Sequence, residues 1–284
     1  MSQSKKRKRQ SLTDRQSIEK MVSILQGTGC EFEVSLTNYT TQIKFADTGE
    51  KYLKTFRSRK CFQAYQKIKK DVSRYMRPEI TEDEVRYYNH DITSEVSEAK
   101  AIQIDLKRAY ATVLYNDGYI RPETYEYFNY ISKQDRLAAV GMLASVKNLF
   151  YYNNGVIEEH DLIENPLKSF FFYCVKRVEE IMNVCRMEAV GNYLMTWVDA
   201  IYIKDDEGLA QEIKRVLLYN GFDCEISYLE EFKCMFQNHK IHVSMVSNGK
   251  KKSFYIPHTK NIQANHLVSF IISNNNKTLS GDIS

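Results

Sequence analysis

The run "YLMTWVDAIYIKDD" (193–206) places one carboxylate, Asp199, between two apolar stretches. Met195, Trp197 and Val198 precede it, and Ile201, Tyr202 and Ile203 follow. An ionised group buried there without a partner would cost on the order of several kcal/mol. The run therefore reads as a strand, a tight turn at Val198–Asp199 and a second strand. That reading sets Asp199 at the rim of a sheet instead of in its core.

A second stretch has the same character. "AIQIDLKRAYATVLYNDG" (101–118) begins as a strand over Ala101–Asp105, turns helical near Lys107 and breaks at Asn116-Asp117-Gly118. Asp105 thus ends an apolar strand as Asp199 does. If the two strands are neighbours, the carboxylates meet at one rim. Oxygen ligands paired in this way suit hard divalent cations, Mg²⁺ or Mn²⁺, beside a phosphate substrate. Each aspartate taken alone would serve equally as a turn cap or as the partner of a buried arginine.

The surrounding pattern predicts an α+β fold: an antiparallel sheet with helices packed on one face, preceded by a small basic strand and helix element. "FEVSLT" (32–37) alternates, and two strands flank the turn "DTGE" (47–50). A basic amphipathic helix is expected over about 58–76, ending at Arg77-Pro78. Residues 123–148 are helical in pattern. Long helices are expected over about 167–187 and from Glu207 to Tyr219, the latter closed by Asn220-Gly221. "DCEISYLEEFKCMF", "KIHVSMV" and "KKSFYIP" read as strands, the last two joined at Asn248-Gly249.

Composition narrows the function classes. Of 284 residues, 43% are hydrophobic, enough for a substantial core, and the net charge of +4 is only mildly basic. The positive charge is concentrated in "KKRKR" (5–9) and "KYLKTFRSRKCFQAYQKIKK" (51–70), blocks that favour an anionic partner such as nucleic acid. The bland alternative is a solvated tail and a solvated helix face. The six cysteines form no CxxC pair and no zinc spacing, and are expected to be reduced, intracellular core thiols. No signal peptide or membrane span is expected, because "SFFFYCV" (169–175) is short and runs straight into Lys176-Arg177.

Two motifs carry a resemblance to family B DNA polymerases. "DLKRAYAT" (105–112) resembles the family's motif A, with Asp105 at the metal-ligand position and Tyr110 at the tyrosine beneath the incoming sugar. Arg108, Ala109 and Ala111 depart from the pattern. "MTWVDAIYI" (195–203) resembles motif C, with Asp199 at the essential second acid and Trp197 in place of the first. "RLAAVGMLA" (136–144) stands where motif B would, so that Arg136, helped by Lys133 one turn earlier, would grip the triphosphate. "KKKSFY" (250–255) resembles the strand that holds the primer terminus, through Lys250, Lys251, Lys252 and Tyr255. Edge protection is the alternative reading of those lysines.

The resemblance implies a minimal palm over residues 99–258, with reduced fingers at about 119–150. It is flanked by a disordered basic tail (1–15), a nucleic-acid-binding element (16–98) and a C-terminal tail (259–284). It implies template-directed nucleotidyl transfer in DNA replication, with Asp105, Asp199 and the Leu106 carbonyl around Mg²⁺ or Mn²⁺. The implied partners are a DNA primer-template, nucleoside triphosphates and a protein supplying missing fingers or exonuclease functions. The implied location is the cytoplasm (of a host cell, for a viral or mobile-element source), with no membrane. Two other readings stay open: a catalytically silent palm-derived binding or assembly subunit, and a metal-dependent nuclease using Glu225, Glu231 and Lys233.

Overall fold

The computed structural model describes residues 14–55, 57–85, 90–91, 95–237, 240–256 and 271–272. In chain order, the first elements are α1 (Asp14–Gln26), β1 (Phe32–Leu36), β2 (Thr40–Phe45), β3 (Lys51–Thr55) and α2 (Arg59–Val72). Then follow β4 (His90–Asp91), β5 (Val96–Glu98), β6 (Ala101–Leu106), α3 (Ala109–Asn116), α4 (Pro122–Tyr127) and α5 (Lys133–Gly141). Next are β7 (Val146–Asn153), β8 (Val156–Glu164), α6 (Lys168–Glu188), β9 (Tyr193–Trp197), β10 (Ala200–Lys204) and α7 (Glu207–Tyr219). The series closes with β11 (Cys224–Leu229), β12 (Glu231–Gln237), β13 (Lys240–Ser247) and β14 (Lys250–Ile256). The fold is α+β with antiparallel sheets.

Two compact units interleave in sequence. One holds residues 1–58, 145–165 and 261–284, and the other residues 59–144 and 166–260. The first unit is a five-stranded sheet in the order β3-β2-β1-β7-β8, with α1 supplying its cover. Ile18 and Val22 of α1, one turn apart, pack with Val34, Leu36, Ile43 and Phe150 in a buried cluster. Residues 145–165 thus extend the N-terminal sheet. The helical pattern read over 123–148 gives way at Val146, where the β-prone run "VKNLFYYN" pairs with β1. Asn154 and Gly155 both have positive φ and close the β7–β8 hairpin. Residues 119–150 are therefore not a continuous fingers segment. The basic tail lies outside the described residues as far as residue 13, and α1 already begins at Asp14.

The second unit is built on the sheet β11-β6-β10-β9-β4. Ile102 and Ile104 of β6 and Ile201 and Ile203 of β10 are fully buried, and α6 and α7 pack on these strands. Burying each such side chain contributes roughly 1.5–3 kcal/mol. The other face carries Ala101, Ala200 and Tyr202, which cluster with Phe232, Cys234, Val243 and Met245 of a third sheet, β14-β13-β12-β5. Only Glu230 separates β11 from β12, so the chain changes sheets at a single residue. The helices thus cover one face of the central sheet, and the third sheet covers part of the other.

One buried ion pair ties α2 into this unit. Asp71, 1% exposed, accepts the Arg121 backbone N–H at 3.2 Å, Arg121 Nε at 2.9 Å and the Thr124 hydroxyl at 2.6 Å. It thereby caps α4, whose N1 proline needs no such bond. Burial pushes its carboxyl pKa up, but the Thr124 and Arg121 bonds outweigh this and hold it below the ordinary value of 3.8. A carboxyl lowered by folding stabilises above its unfolded pKa and loses that contribution as pH falls through the lowered value. Asp71→Ala is expected to cost about 2–3 kcal/mol at pH 7 in urea unfolding, because buried donors lose a charged acceptor. The difference from wild type should shrink below pH 4.

Gly155 offers a sharper test of the first unit. Its φ is 78°, and an added Cβ would meet the Gln26 carbonyl oxygen at 2.3 Å. Gly155→Ala should therefore lower the melting temperature, whereas Gly49→Ala, also at positive φ but with open space around it, should cost less.

Candidate active-site cleft

The two aspartates meet as neighbours. β6 and β10 pair antiparallel with Asp105 opposite Ala200, the residue after Asp199. The Leu106 N–H donates to the Asp199 carbonyl at 2.9 Å, fixing the turn to the end of β6. Val198 forms that turn at φ 56°, a strained conformation for a β-branched residue. Asp199 is half-buried. Burial and the neighbouring Asp105 charge push its carboxyl pKa up to about 6, against a smaller pull from Lys133. Two like charges therefore share one rim, as the strand-turn-strand reading of 193–206 requires.

The opposing wall is α5. Ser132 caps it by accepting the Asp135 N–H at 3.1 Å. Lys133, Arg136, Leu137 and Val140 recur at i, i+3, i+4 and i+7 and line one open cleft with Asp105 and Asp199. The cleft encloses about 510 Å³ of space continuous with solvent. Lys133 Nζ donates to Asp105 Oδ2 at 2.7 Å. Burial alone would lower the lysine's pKa, but that bond and the charges of both aspartates raise it. Arg136 donates to the carbonyls of Phe128 at 3.2 Å and Ile131 at 3.0 Å. Burial and the charge of Arg108 lower its pKa.

Tyr110 and Leu106 also line the cleft. The Tyr110 ring packs edge-on against Phe171 of α6 at 5.9 Å. Lys250, Lys251, Lys252 and Tyr255 are not among the lining residues. They are exposed on β14, the edge strand of the third sheet, where Tyr255 meets His242 with ring centres 4.7 Å apart. Glu231 and Lys233 form an ion pair within β12, while Glu225 stands on β11 directly across from Asp105 and lines the cleft. The three residues of the nuclease reading do not gather.

Two charged cleft residues, Lys107 and Arg108, were missed as site residues, and Glu225 was named only for the nuclease reading. Lys107 pairs with Asp223 at 3.0 Å. Arg108 registers in the sequence only as a departure from a motif. The direct neighbourhood of Glu225 and Asp105 depends on β11 pairing with β6, which no local pattern announces.

Among the described residues, no group of three or more His, Cys, Asp and Glu forms a metal-binding cluster. Asp105 and Asp199 are the residues that could offer oxygen ligands here. Their chemistry suits a hard divalent cation: carboxylate oxygens on adjoining strands whose repulsion Lys133 offsets only in part. No helix among the described residues is long and apolar enough to cross a membrane. Neither a scan against protein-family models nor a search of curated proteins finds a match to this chain.

The electrostatics predict a stability trade-off at Asp199. An acid whose pKa is raised by folding disfavours the folded state as pH rises from its unfolded pKa toward the folded value. With those limits at 3.8 and about 6, Asp199→Asn should stabilise the protein at pH 7. The expected gain is about 1–3 kcal/mol. The gain should vanish near pH 4, as measured by urea unfolding at both pH values.

Proposed function

We propose that the second unit is a nucleotidyltransferase of the family B DNA polymerase palm type, acting on a DNA primer-template and nucleoside triphosphates. One observation carries the reading. Asp105 and Asp199, from antiparallel neighbours, face a cleft whose other wall bears Lys133 and Arg136. A floor of carboxylates opposite a wall of cations suits a phosphoryl group that must be bound and polarised at once.

Asp105 and Asp199 would hold Mg²⁺ or Mn²⁺, which when bound supplies charge neutralisation at the triphosphate and activation of a primer 3′-hydroxyl. Lys133 and Arg136 bind and orient the triphosphate oxygens. The N-terminus of α3 has no side-chain cap and opens on cleft-lining Ala109, Tyr110 and Ala111, so its first N–H groups favour an anion. Tyr110 forms the apolar side of the cleft against which a sugar would rest. Exposed cations of α2 (Lys60, Lys67, Lys70) and of β14 (Lys250, Lys251, Lys252) hold nucleic-acid phosphates, and binding then weakens with salt. A separate protein would supply the fingers or exonuclease functions. Six free thiols, five of them buried, accord with a cytoplasmic setting.

A silent binding or assembly subunit is the second reading. It is favoured by the Lys133 ammonium already seated on Asp105 and by Trp197 in place of an acid. Primer extension with Mg²⁺ and Mn²⁺ decides between the two. Asp199→Asn and Asp105→Asn should each reduce incorporation by at least about a thousandfold while DNA affinity stays within about twofold. Incorporation at the wild-type rate by either variant would refute the assignment.

A further inference from the structure

Arg108 is a cleft residue held closely in place. It sits at φ 57°, in the left-handed region, immediately before α3. Its guanidinium lies over the Tyr125 ring at 4.7 Å and donates through Nη1 to Asn129 Oδ1. Tyr125 is itself fixed, stacked on Tyr115 at 4.5 Å and bonded to the Thr112 hydroxyl at 3.0 Å. Arg108 is therefore held in one direction from two sides.

Arg136 is held just as firmly, by two backbone carbonyls acting on Nη1. Both arginines are among the residues that line the same cleft. Each has five N–H donors and spends only part of them on the protein. Their mutual repulsion is felt, since the charge of Arg108 lowers the pKa of Arg136. Lys133 is already occupied by Asp105, and Lys107 by Asp223. Those lysines offer point charges, whereas the two arginines offer planar forks with donors still to spend. Two pre-set arginines lining one cleft, close enough to feel each other's charge, fit a ligand with adjacent, doubly charged oxygen groups, because planar forks bind such oxygens in pairs.

We infer that Arg108 and Arg136 form a paired-guanidinium clamp for a diphosphate group, with Tyr125 and Asn129 as positioning residues for Arg108. The inference deepens the nucleotidyl-transfer reading and rests on it for the choice of ligand. The diphosphate is either the pyrophosphate leaving group or the β,γ end of an incoming triphosphate. The clamp orients it without any covalent change.

The test is calorimetric titration of the full chain with inorganic pyrophosphate, and in parallel with a non-hydrolysable deoxynucleoside triphosphate, without nucleic acid. Arg108→Asn removes the guanidinium while keeping a residue that tolerates the left-handed conformation, and thermal melting checks that it folds. It should weaken pyrophosphate binding about tenfold or more, and Arg108→Lys should recover only part of the loss. Tyr125→Leu should give an intermediate loss. Lys204→Asn, an exposed cation at the end of β10, serves as a charge-matched control and should change binding less than about twofold. A matching loss on the triphosphate assigns the clamp to the shared diphosphate group, and a loss on pyrophosphate alone assigns it to the leaving group. Absence of pyrophosphate binding by wild type, unchanged binding by Arg108→Asn, or equal losses in Arg108→Asn and Lys204→Asn would each overturn the clamp. Arg108-dependent pyrophosphate binding without primer extension removes the polymerase reading and leaves the clamp standing. Extension with an unaffected Arg108→Asn does the reverse.

Discussion

The repulsion between Asp105 and Asp199 is the constraint around which the second unit is arranged. Sheet register sets it: with Asp105 opposite Ala200, the turn residue Asp199 cannot avoid the end of β6. The compensating charge comes from Lys133, which reaches Asp105 only because α5 starts at the Ser132 cap and lies across the cleft. α5 in turn packs on α2. α2 is anchored to α4 through the buried Asp71–Arg121–Thr124 knot. The Asp71 knot thus supports, through α2, the helix that carries Lys133, the cation seated on Asp105.

Much of this was legible in the sequence, for identifiable reasons. Asp199 announced a turn because no partner for a buried acid lay nearby in the chain, and β9, the turn and β10 follow that reading. α6 and α7 stood out because their apolar periodicity is long and their ends are marked. The hairpin at Asn248-Gly249 followed from a dipeptide that takes positive φ twice. What escaped was non-local. "VKNLFYYN" shares its apolar content with a helix, and only pairing with β1, more than a hundred residues earlier, decides for strand. α1 shows helical spacing at Ile18, Met21, Val22 and Leu25, yet no element was read there, although the disordered reading stopped at residue 15.

The site was half legible for the same reason. Residues carried by one local motif, such as Asp105 with Tyr110, were found together. Arg136 followed from the motif B resemblance, and Lys133 from its place one turn earlier on the same helix. Glu225 was named for a different reading, and its place beside Asp105 escaped because cross-strand neighbours have no signature in a single strand. Arg108 escaped for a different reason. The role we propose for it depends on Tyr125 and Asn129, which fix its direction, and those lie in a helix and a 3₁₀ turn that the motif comparison passes over.

Trp197 shows how the cleft came to hold so few acids. Its ring meets Phe254 of the third sheet at 5.4 Å and packs against the cluster of Tyr202, Phe232, Val243 and Met245. A carboxylate at that position would lie against an apolar interface and would need a partner there. The same position cannot both join two sheets by aromatic packing and donate oxygen to a cation. In this chain position 197 serves the core, and the charge that a second acid would have supplied is absent from the rim. The cleft then sets three carboxylates, Asp105, Asp199 and Glu225, beside Lys107, Lys133 and two arginines, so that both signs of charge line one space.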